Sequence, residues 1–174
     1  MQQLRLSGSG GQGLILAGII LAEAALTDGK LAVQSQSYGP EARGGSSKSE
    51  VLISDQIIYY TKITVPNVVL AMSQEACNKY TSDLGEDGIL ITDNLFVNQL
   101  PDKKYKKIYE LPITKTAQEE LGKVLFANII ALGAIVQLTS VVSKESLIKA
   151  VLNRVPKGTE EVNTKAVRLG FSLI

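Results

Sequence analysis

Ser7-Gly8-Ser9-Gly10-Gly11-Gln12-Gly13 is the stretch on which the predicted fold depends. It follows a short apolar segment, residues 4–6, that is typical of a strand, and it leads directly into helix-forming residues 14–26. Its glycines show the G-x-G-x-x-G spacing, which has a mechanical meaning between a strand and a helix. One glycine permits a tight turn, the next lets a ligand or another backbone approach, and the third lets the helix pack on the strand. We therefore predict a Rossmann-like β-α turn at the start of the chain.

This glycine turn has two interpretations, ligand binding and close packing. The free N–H groups at the helix start, with the positive end of the helix dipole, suit a phosphate or a carboxylate. Glycines in a first β-α turn also serve packing of helix on sheet alone, and spacing does not choose between the two. An NAD site further expects a carboxylate about 20 residues on, at the end of the second strand. The second predicted strand, residues 31–36, ends without one, and Asp28 comes before it. NAD is therefore disfavoured.

A second glycine-rich segment follows that strand, Ser-Tyr-Gly-Pro-Glu-Ala-Arg-Gly-Gly-Ser-Ser at residues 37–47. The two strands of a β-α-β unit run parallel with a right-handed crossover, so this loop should reach the same sheet edge as the glycine turn. Tyr38, Glu41 and Arg43 bring a stacking ring, a carboxylate and a permanent cation to it. The alternative is an ordinary surface crossover in which Glu41 and Arg43 pair with each other. The concentration of specialised residues favours a binding loop.

The remaining pattern predicts further strands and a helical C-terminal part. Apolar and alternating runs predict a hairpin at residues 50–54 and 57–60, and strands at 68–72, 89–92 and 107–111. Helical spacing predicts helices at 74–84, 114–121, 124–138, 143–153 and 159–171, and Ser143 and Thr159 are the predicted N-terminal caps of the last two. The predicted fold class is α/β: a Rossmann-like parallel or mixed sheet with an added β-hairpin and a helical C-terminal region, in three α/β/α layers. Since no repeat or linker interrupts the 174 residues, we expect residues 1–174 to form a single domain.

Composition excludes several classes of function. The formal net charge of +1 predicts no general attraction to nucleic acid or to an anionic membrane. The chain contains no histidine and one cysteine, Cys77, so it has neither a histidine-based triad or metal site nor the ligands for an iron–sulfur cluster. No cleavable signal pattern is visible, and the apolar windows are too short for a membrane span. A cytoplasmic location is the default expectation.

Several of these segments together resemble the gamma subunit of the 2-oxoacid:ferredoxin oxidoreductases. The likeness covers nearly the whole chain, and no single motif would establish it. The form Tyr-Gly-Pro-Glu-x-Arg-Gly-Gly is most similar to the 2-oxoglutarate branch, and an indolepyruvate or branched-chain oxoacid enzyme is the close alternative. The residues that carry the resemblance are Gly8-x-Gly10-Gly11-Gln12-Gly13 with Ala22-Glu23-Ala24-Ala25, residues 37–46, Val51-Leu52-Ile53-Ser54, Asn128-Ile129-Ile130-Ala131-Leu132-Gly133, and Glu161, Asn163, Ala166 and Gly170.

The resemblance implies a non-autonomous subunit of an oxidoreductase. Such a complex decarboxylates a 2-oxoacid on thiamine diphosphate, passes electrons through iron–sulfur clusters to ferredoxin, and releases an acyl-CoA. We expect thiamine diphosphate, magnesium and the clusters on alpha and beta partner subunits, because this sequence lacks a Gly-Asp-Gly segment with a downstream Asn-Asn pair. The presence of a ferredoxin-like delta subunit stays open. No catalytic or metal-binding residue is assigned to this chain.

The hypothesis for this chain is that its two glycine-rich segments face the partner subunits and help to position coenzyme A. The candidate binding residues are Gly8, Gly10, Gly11, Gln12, Gly13, Tyr38, Gly39, Pro40, Glu41, Arg43, Gly44 and Gly45. Arg43 and the helix start at Gly13 would meet phosphate groups through charge-assisted hydrogen bonds. The competing hypothesis, from another class, is a stand-alone Rossmann-like nucleotide-binding or anion-binding regulatory module without catalysis.

Overall fold

The computed structural model describes residues 1–37, 45–102, 105 and 107–174. The described strands form one six-stranded sheet in the order β2-β3-β1-β4-β5-β6. The strands are β1 (Gln2–Ser9), β2 (Leu31–Ser37), β3 (Ser46–Ser54), β4 (Val68–Ala71), β5 (Ile89–Asp93) and β6 (Lys107–Leu111). The helices are α1 (Leu14–Thr27), α2 (Gln74–Tyr80), α3 (Ile113–Leu121), α4 (Ala127–Thr139), α5 (Lys144–Arg154) and α6 (Glu160–Ser172).

The sheet is mixed, as predicted, but its strand order corrects the simple β-α-β interpretation. Strands β1, β4, β5 and β6 are parallel neighbours, whereas β3 lies antiparallel between β1 and β2. Strand β2 therefore runs in the same direction as β1 without contacting it. The prediction that β1 and β2 run in the same direction is confirmed. The prediction that the two strands end on the same side of the sheet is confirmed with it. The adjacency that a β-α-β unit implies is wrong.

The predicted hairpin of residues 50–54 with 57–60 is wrong. The nine-residue strand β3 pairs with β1 on one side and with β2 on the other over most of its length; for example, Ile53 lies opposite both Gln2 and Ala32. Both hydrogen-bonding edges of β3 are therefore occupied, so the chain that follows it finds no free edge there. Residues 57–60 belong to no strand or helix.

Helices cover both faces of the sheet, which confirms the three-layer prediction. The main apolar core lies on one face, where Leu4 and Leu6 of β1 pack with α1, α4, α5 and α6. The other face carries α2, which contacts β1, β3 and β4. The predicted helices are present with small shifts: α2 ends four residues earlier, and a 3₁₀ turn, Val124–Phe126, precedes α4. None of the helices in the described ranges has the length and apolarity needed to cross a membrane.

Two predicted caps have different outcomes. Ser143 caps α5 as expected, because its Oγ accepts a hydrogen bond from the Ser146 N–H at 3.1 Å. Thr159 precedes α6, but its side chain makes no capping bond to the helix backbone; its Oγ1 donates to the Pro156 carbonyl instead. The expectation of a threonine side-chain cap is therefore wrong, and Glu160 and Glu161 supply the negative charge in the first turn of α6.

Asp28, at the end of α1, ties that helix to the start of α5. Its carboxylate accepts hydrogen bonds from the Ser143 N–H at 2.6 Å, from Ser143 Oγ at 2.7 Å and from Ser146 Oγ at 2.5 Å. Burial raises the pKa of Asp28, but these bonds outweigh burial, so its pKa lies below the ordinary 3.8. Since the folded pKa is lowered, the stabilisation is present above pH 3.8 and is lost as the pH falls through the folded pKa.

We expect Asp28→Asn to lower the free energy of unfolding by about 2 kcal/mol at neutral pH, because hydrogen bonds to an ionised group are lost. Urea denaturation measures this difference. The matched control is Asp55→Asn, which alters an exposed aspartate beyond the end of β3. Equal losses in the two variants would contradict the role given to Asp28. If the difference in unfolding free energy between wild type and Asp28→Asn does not narrow as the pH falls below 3.8, the Asp28 carboxylate is not ionised in the folded protein.

Candidate ligand-binding edge of the sheet

The predicted glycine turn connects β1 to α1 with two left-handed glycines. Gly11 has φ of 90° and Gly13 has φ of 73°, a region that favours glycine. Gly13 is the residue that precedes α1, and no side chain caps the helix there. Among the described residues, no side chain accepts a hydrogen bond from the first N–H groups of α1, which is an arrangement that suits anion binding.

The glycines of the turn divide into a packed pair and an open pair. A Cβ at Gly8 would collide with Gln12 Oε1 and lie 3.0 Å from Met72 Cβ, and a Cβ at Gly13 would lie 2.5 Å from Asn128 Nδ2. A Cβ at Gly10 would meet only the Gly45 carbonyl oxygen, at 3.9 Å, and one at Gly11 would meet nothing within 4 Å. Close packing therefore accounts for Gly8 and Gly13, whereas Gly10 and Gly11 leave open space, and ligand binding there stays a prediction.

Gln12 holds the turn in place. Its Oε1 accepts a hydrogen bond from the Ser9 N–H at 2.7 Å, and its Nε2 donates to the Met72 carbonyl at 3.0 Å. Gln12 was predicted as a ligand contact, and the structure shows that both polar atoms of its side chain are bonded within the chain. The side chain thus joins the ends of β1 and β4 and fixes the shape of the turn.

The second glycine-rich segment ends beside the first. Ser46, at the start of β3, lies opposite Ser9, at the end of β1, and the Gly10 N–H donates to the Gly45 carbonyl at 3.1 Å. At the other end of the segment, Ser37 of β2 lies opposite Lys48 of β3. The described ends of the segment therefore lie at the same end of the strands as the glycine turn. The predicted residues between them, Tyr38, Gly39, Pro40, Glu41, Arg43 and Gly44, lie outside the described residues.

A pocket of about 290 Å³ opens beside the glycine turn. The starts of three helices converge on it: α1 begins after Gly13, Thr114 lies in the first turn of α3, and Ala127 begins α4. No charged side chain lies on the pocket wall. Helix starts favour negative charge, but Asp93 caps the start of α3 and the Ala127 N–H donates to the Val124 carbonyl, whereas the start of α1 has no side-chain cap among the described residues. The lining of the pocket consists of Gly11, Gln12, Phe96, Thr114, Val124, Leu125 and Ala127.

Asp93, at the end of β5, is fully buried beneath this pocket wall. Its carboxylate accepts hydrogen bonds from Thr114 Oγ1, from the Thr114 N–H at 3.1 Å and from the Leu95 N–H at 3.2 Å. Burial raises the pKa of Asp93 above the ordinary 3.8, although these bonds act in the opposite direction. Asp93 therefore caps the start of α3, where Pro112 supplies no capping side chain, and we assign it a structural role.

Asn128 connects the glycine turn to α4. It is buried, and its Nδ2 donates to the Gly13 carbonyl at 3.2 Å. This contact brings the start of α4 against the start of α1, across a separation of 115 residues. Asn128 was noted only as part of the family resemblance, and the structure supplies the physical reason for its presence.

Sequence reasoning missed most of the pocket wall. Phe96, Val124 and Leu125 follow ends of regular elements and carry no chemical motif, yet they are 45%, 54% and 71% exposed. The signal that could have identified these residues is the high exposure of their apolar side chains. That exposure is known only once the fold is known. A groove of about 900 Å³ between α3, α5 and α6 shares no residue with this edge.

Metal-binding groups are absent from the described part of the chain: no cluster of three or more His, Cys, Asp or Glu side chains is present there. Cys77 is fully buried in α2, and burial raises the pKa of its thiol, which disfavours the thiolate. These residues do not fit an iron–sulfur cluster.

The fold and this edge define a Rossmann-like α/β protein whose glycine turn and helix starts surround an uncharged pocket. The model of the pyruvate ferredoxin/flavodoxin oxidoreductase family matches residues 3–173. The chain therefore belongs to this family, as a chain of the gamma-subunit type, and the resemblance seen in the sequence is confirmed.

The most similar relatives support this membership over nearly the whole chain. A 2-oxoglutarate synthase subunit KorC from Methanocaldococcus jannaschii is 49% identical and covers 99% of this chain and 93% of its own length. The crystal structure of a keto/oxoacid ferredoxin oxidoreductase gamma subunit from Geobacter sulfurreducens superposes with a TM-score of 0.89 at 52% identity, over 99% of this chain and 95% of that one.

The same fold also occurs inside a larger chain. A 2-oxoglutarate:ferredoxin oxidoreductase from Magnetococcus marinus, solved with 2-oxoglutarate, coenzyme A and succinyl-CoA bound, superposes with a TM-score of 0.87. The match covers 99% of this chain and 30% of that chain, at 22% identity. The fold can therefore stand as a separate chain or as part of a longer one.

Proposed function

We propose that this chain is the gamma subunit of a 2-oxoglutarate:ferredoxin oxidoreductase. The complex decarboxylates 2-oxoglutarate oxidatively, transfers the acyl group to coenzyme A and passes the electrons to ferredoxin. The observation that carries the proposal is the similarity to a KorC subunit along nearly the full length of both chains. The proposal treats residues 1–174 as a single domain.

The proposal divides the chemistry between subunits. Thiamine diphosphate supplies the site on which the carbanion left by decarboxylation is stabilised, and we place it, with magnesium and the iron–sulfur clusters, on alpha and beta subunits. Ferredoxin is the electron acceptor, and a ferredoxin-like delta subunit is a further candidate partner. This chain contributes a shaped surface, because its residues offer no set of ligands for those groups.

We further propose that the glycine-turn edge contacts coenzyme A. The start of α1 has no side-chain cap among the described residues, and Gly10 and Gly11 leave their backbone open to close approach. Those two features suit a phosphate group, and the uncharged pocket suits an apolar part of the same ligand. Arg43 stays the predicted cationic contact, together with Tyr38, Gly39, Pro40, Glu41, Gly44 and Gly45 on the second segment.

We expect Gly10→Asp to raise the apparent KM for coenzyme A by about tenfold or more in the assembled complex, because a like charge placed against a phosphate costs binding free energy. Space for the side chain exists, since a Cβ at Gly10 would meet only one atom within 4 Å. Gly10→Asn is the matched control, with the same shape and no charge, and should change the KM much less. Equal effects of the two variants, with the complex intact, would remove the phosphate contact from this edge.

The function as a whole is tested by co-expression with candidate alpha and beta chains. Purification of the complex should be followed by assays of several 2-oxoacids with coenzyme A and a viologen acceptor. We expect the highest kcat/KM for 2-oxoglutarate and no activity of the isolated chain. A stable isolated chain that binds nucleotide and joins no partner would favour the regulatory-module alternative, and preference for a branched-chain acid or indolepyruvate would correct the substrate.

A further inference from the structure

The segment between β3 and β4 is the largest feature of the fold that neither the core nor the glycine-turn edge uses. Its sequence around Ile57-Ile58-Tyr59-Tyr60 has the residue types of a strand. Its main chain, from 57 to 63, makes no hydrogen bond to any described residue. Ile58 and Ile63 are half-buried, whereas four other apolar side chains are exposed. The exposed fractions are 68% for Ile57, 80% for Tyr59, 80% for Tyr60 and 51% for Val65.

This exposed segment lies at the end of the strands opposite the glycine turn. Ser54, just before it, pairs with Leu31 at the start of β2, and Asn67, just after it, donates through its N–H to the Gln3 carbonyl at the start of β1 at 2.8 Å. The glycine turn and its pocket follow the ends of β1 and β5 instead. A partner that covers residues 57–65 is therefore spatially separate from the proposed coenzyme A contact.

The exposed area is large enough to contribute to a stable interface. An enclosed tyrosine buries about 150–250 Å², so the exposed parts of Tyr59 and Tyr60 together offer about 250–400 Å². A stable protein–protein interface needs about 800 Å² from each partner. Ile57 and Val65 add to the tyrosine contribution. Tyrosine is also among the residue types that dominate binding energy at such interfaces.

The arrangement disfavours a second copy of this chain as the occupant. Tyr59 and Tyr60 are adjacent and each is 80% exposed, so a partner that buries both side chains must enclose this part of the segment as a groove does. The large groove among the described residues is lined by charged side chains, including Glu120, Glu161 and Arg168. The pocket beside the glycine turn lies at the opposite end of the strands, so filling it from a second copy would make a head-to-tail contact, which builds a ring or a filament.

We propose that residues 57–65 are an interface segment that inserts into an apolar groove on another subunit of the oxidoreductase complex. The inference rests on the proposed function, since that function supplies the other subunits. The insertion gives the unpaired main chain hydrogen-bond partners and removes the two tyrosines from water, which the fold of this chain alone does not do.

Hydrogen exchange on the complex reconstituted with its alpha and beta subunits tests this proposal. We expect the amides of residues 57–63 to exchange at least about tenfold more slowly in the complex than in the isolated chain. The variant carrying Tyr59→Ser and Tyr60→Ser should bind the other subunits at least about tenfold more weakly, because buried aromatic anchors dominate interfaces. Its melting temperature as an isolated chain should stay unchanged, since both side chains are exposed.

The control is Leu26→Ser, which removes a 57% exposed apolar side chain near the end of α1 and should not weaken assembly. An active, intact complex in which residues 57–63 exchange as fast as in the free chain would overturn this proposal alone. Protection that grows with the concentration of the isolated chain would identify a second copy as the occupant and would also overturn it. Failure of the wild-type chain to join any complex would overturn the proposed function and this inference together.

Discussion

Gly170→Ala is expected to lower the free energy of unfolding by at least about 3 kcal/mol, because the added methyl group has no space at the crossing of α4 and α6. A Cβ at Gly170 would collide with the Ile130 carbonyl oxygen and lie 2.8 Å from Gly133 Cα and 2.9 Å from the Ala134 nitrogen. All three are backbone atoms, so the clash cannot be relieved by a side-chain rotation. One helix would have to move.

Intrinsic helix propensity predicts the opposite sign for this substitution. Alanine is favoured over glycine within a helix by about 0.5–1 kcal/mol. A measured loss of unfolding free energy would therefore come from the clash where α4 crosses α6 and not from helix propensity. Gly10→Ala is the control for the chemical change, since its Cβ would meet only the Gly45 carbonyl oxygen at 3.9 Å. Thermal and urea denaturation of both variants measure the difference. Similar stability in the two would show that the helices separate at little cost.

Arg5→Met is expected to lower the free energy of unfolding by about 3 kcal/mol at neutral pH, because it removes the buried guanidinium that pairs with both Glu50 and Asp83 and leaves Glu50 with Lys48 as its remaining ion-pair partner. Arg5 is 5% exposed and links three elements. Its Nε donates to Glu50 at 2.8 Å, and its Nη1 and Nη2 donate to the two oxygens of Asp83 at 2.5 and 2.9 Å. Its Nη1 also donates to the Tyr80 carbonyl at the end of α2, at 2.9 Å. Methionine retains the apolar stem and removes every one of these bonds.

Two comparisons separate the charge from the packing in this cluster. Adding Glu50→Met to Arg5→Met should recover part of the loss, since the carboxylate that is 11% exposed is then gone. Arg154→Met, at the exposed pair of Arg154 with Glu23, should have a much smaller effect because solvent screens that pair. A double variant as unstable as Arg5→Met alone would assign the loss to packing.

The effect of Arg5→Met should also depend on pH. Burial raises the pKa of Asp83, but the hydrogen bond and the charge of Arg5 outweigh burial, so its pKa lies below the ordinary 3.8. With a lowered folded pKa, the ion pair stabilises the protein above that value and its contribution disappears as the pH falls through the folded pKa. The difference in unfolding free energy between wild type and variant, measured by urea denaturation, should therefore narrow as the pH falls below 3.8. A difference independent of pH would contradict the ionic role.

The candidate site could be predicted only where one short segment carried both the motif and its conformation. Gly11 and Gly13 adopt left-handed backbone at the positions that the glycine spacing indicated. The role of Gln12 could not be predicted, because its partners include the carbonyl of Met72, 60 residues away. The pocket could not be predicted either, since Phe96, Thr114 and Leu125 come from three separate parts of the chain that only the assembled fold brings together.

The sequence by itself determined the glycine turn, most strands and helices, and the family, because each depends on local spacing or on the joint presence of motifs. Only the tertiary structure decided that β3 lies between β1 and β2, that residues 57–60 stay unpaired, and that three helix starts meet at one pocket. The physical reason is that apolar periodicity specifies which residues turn inward. The neighbour of each strand depends on which distant strands pair with its two hydrogen-bonding sides. In this fold β1 and β2 occupy both sides of β3.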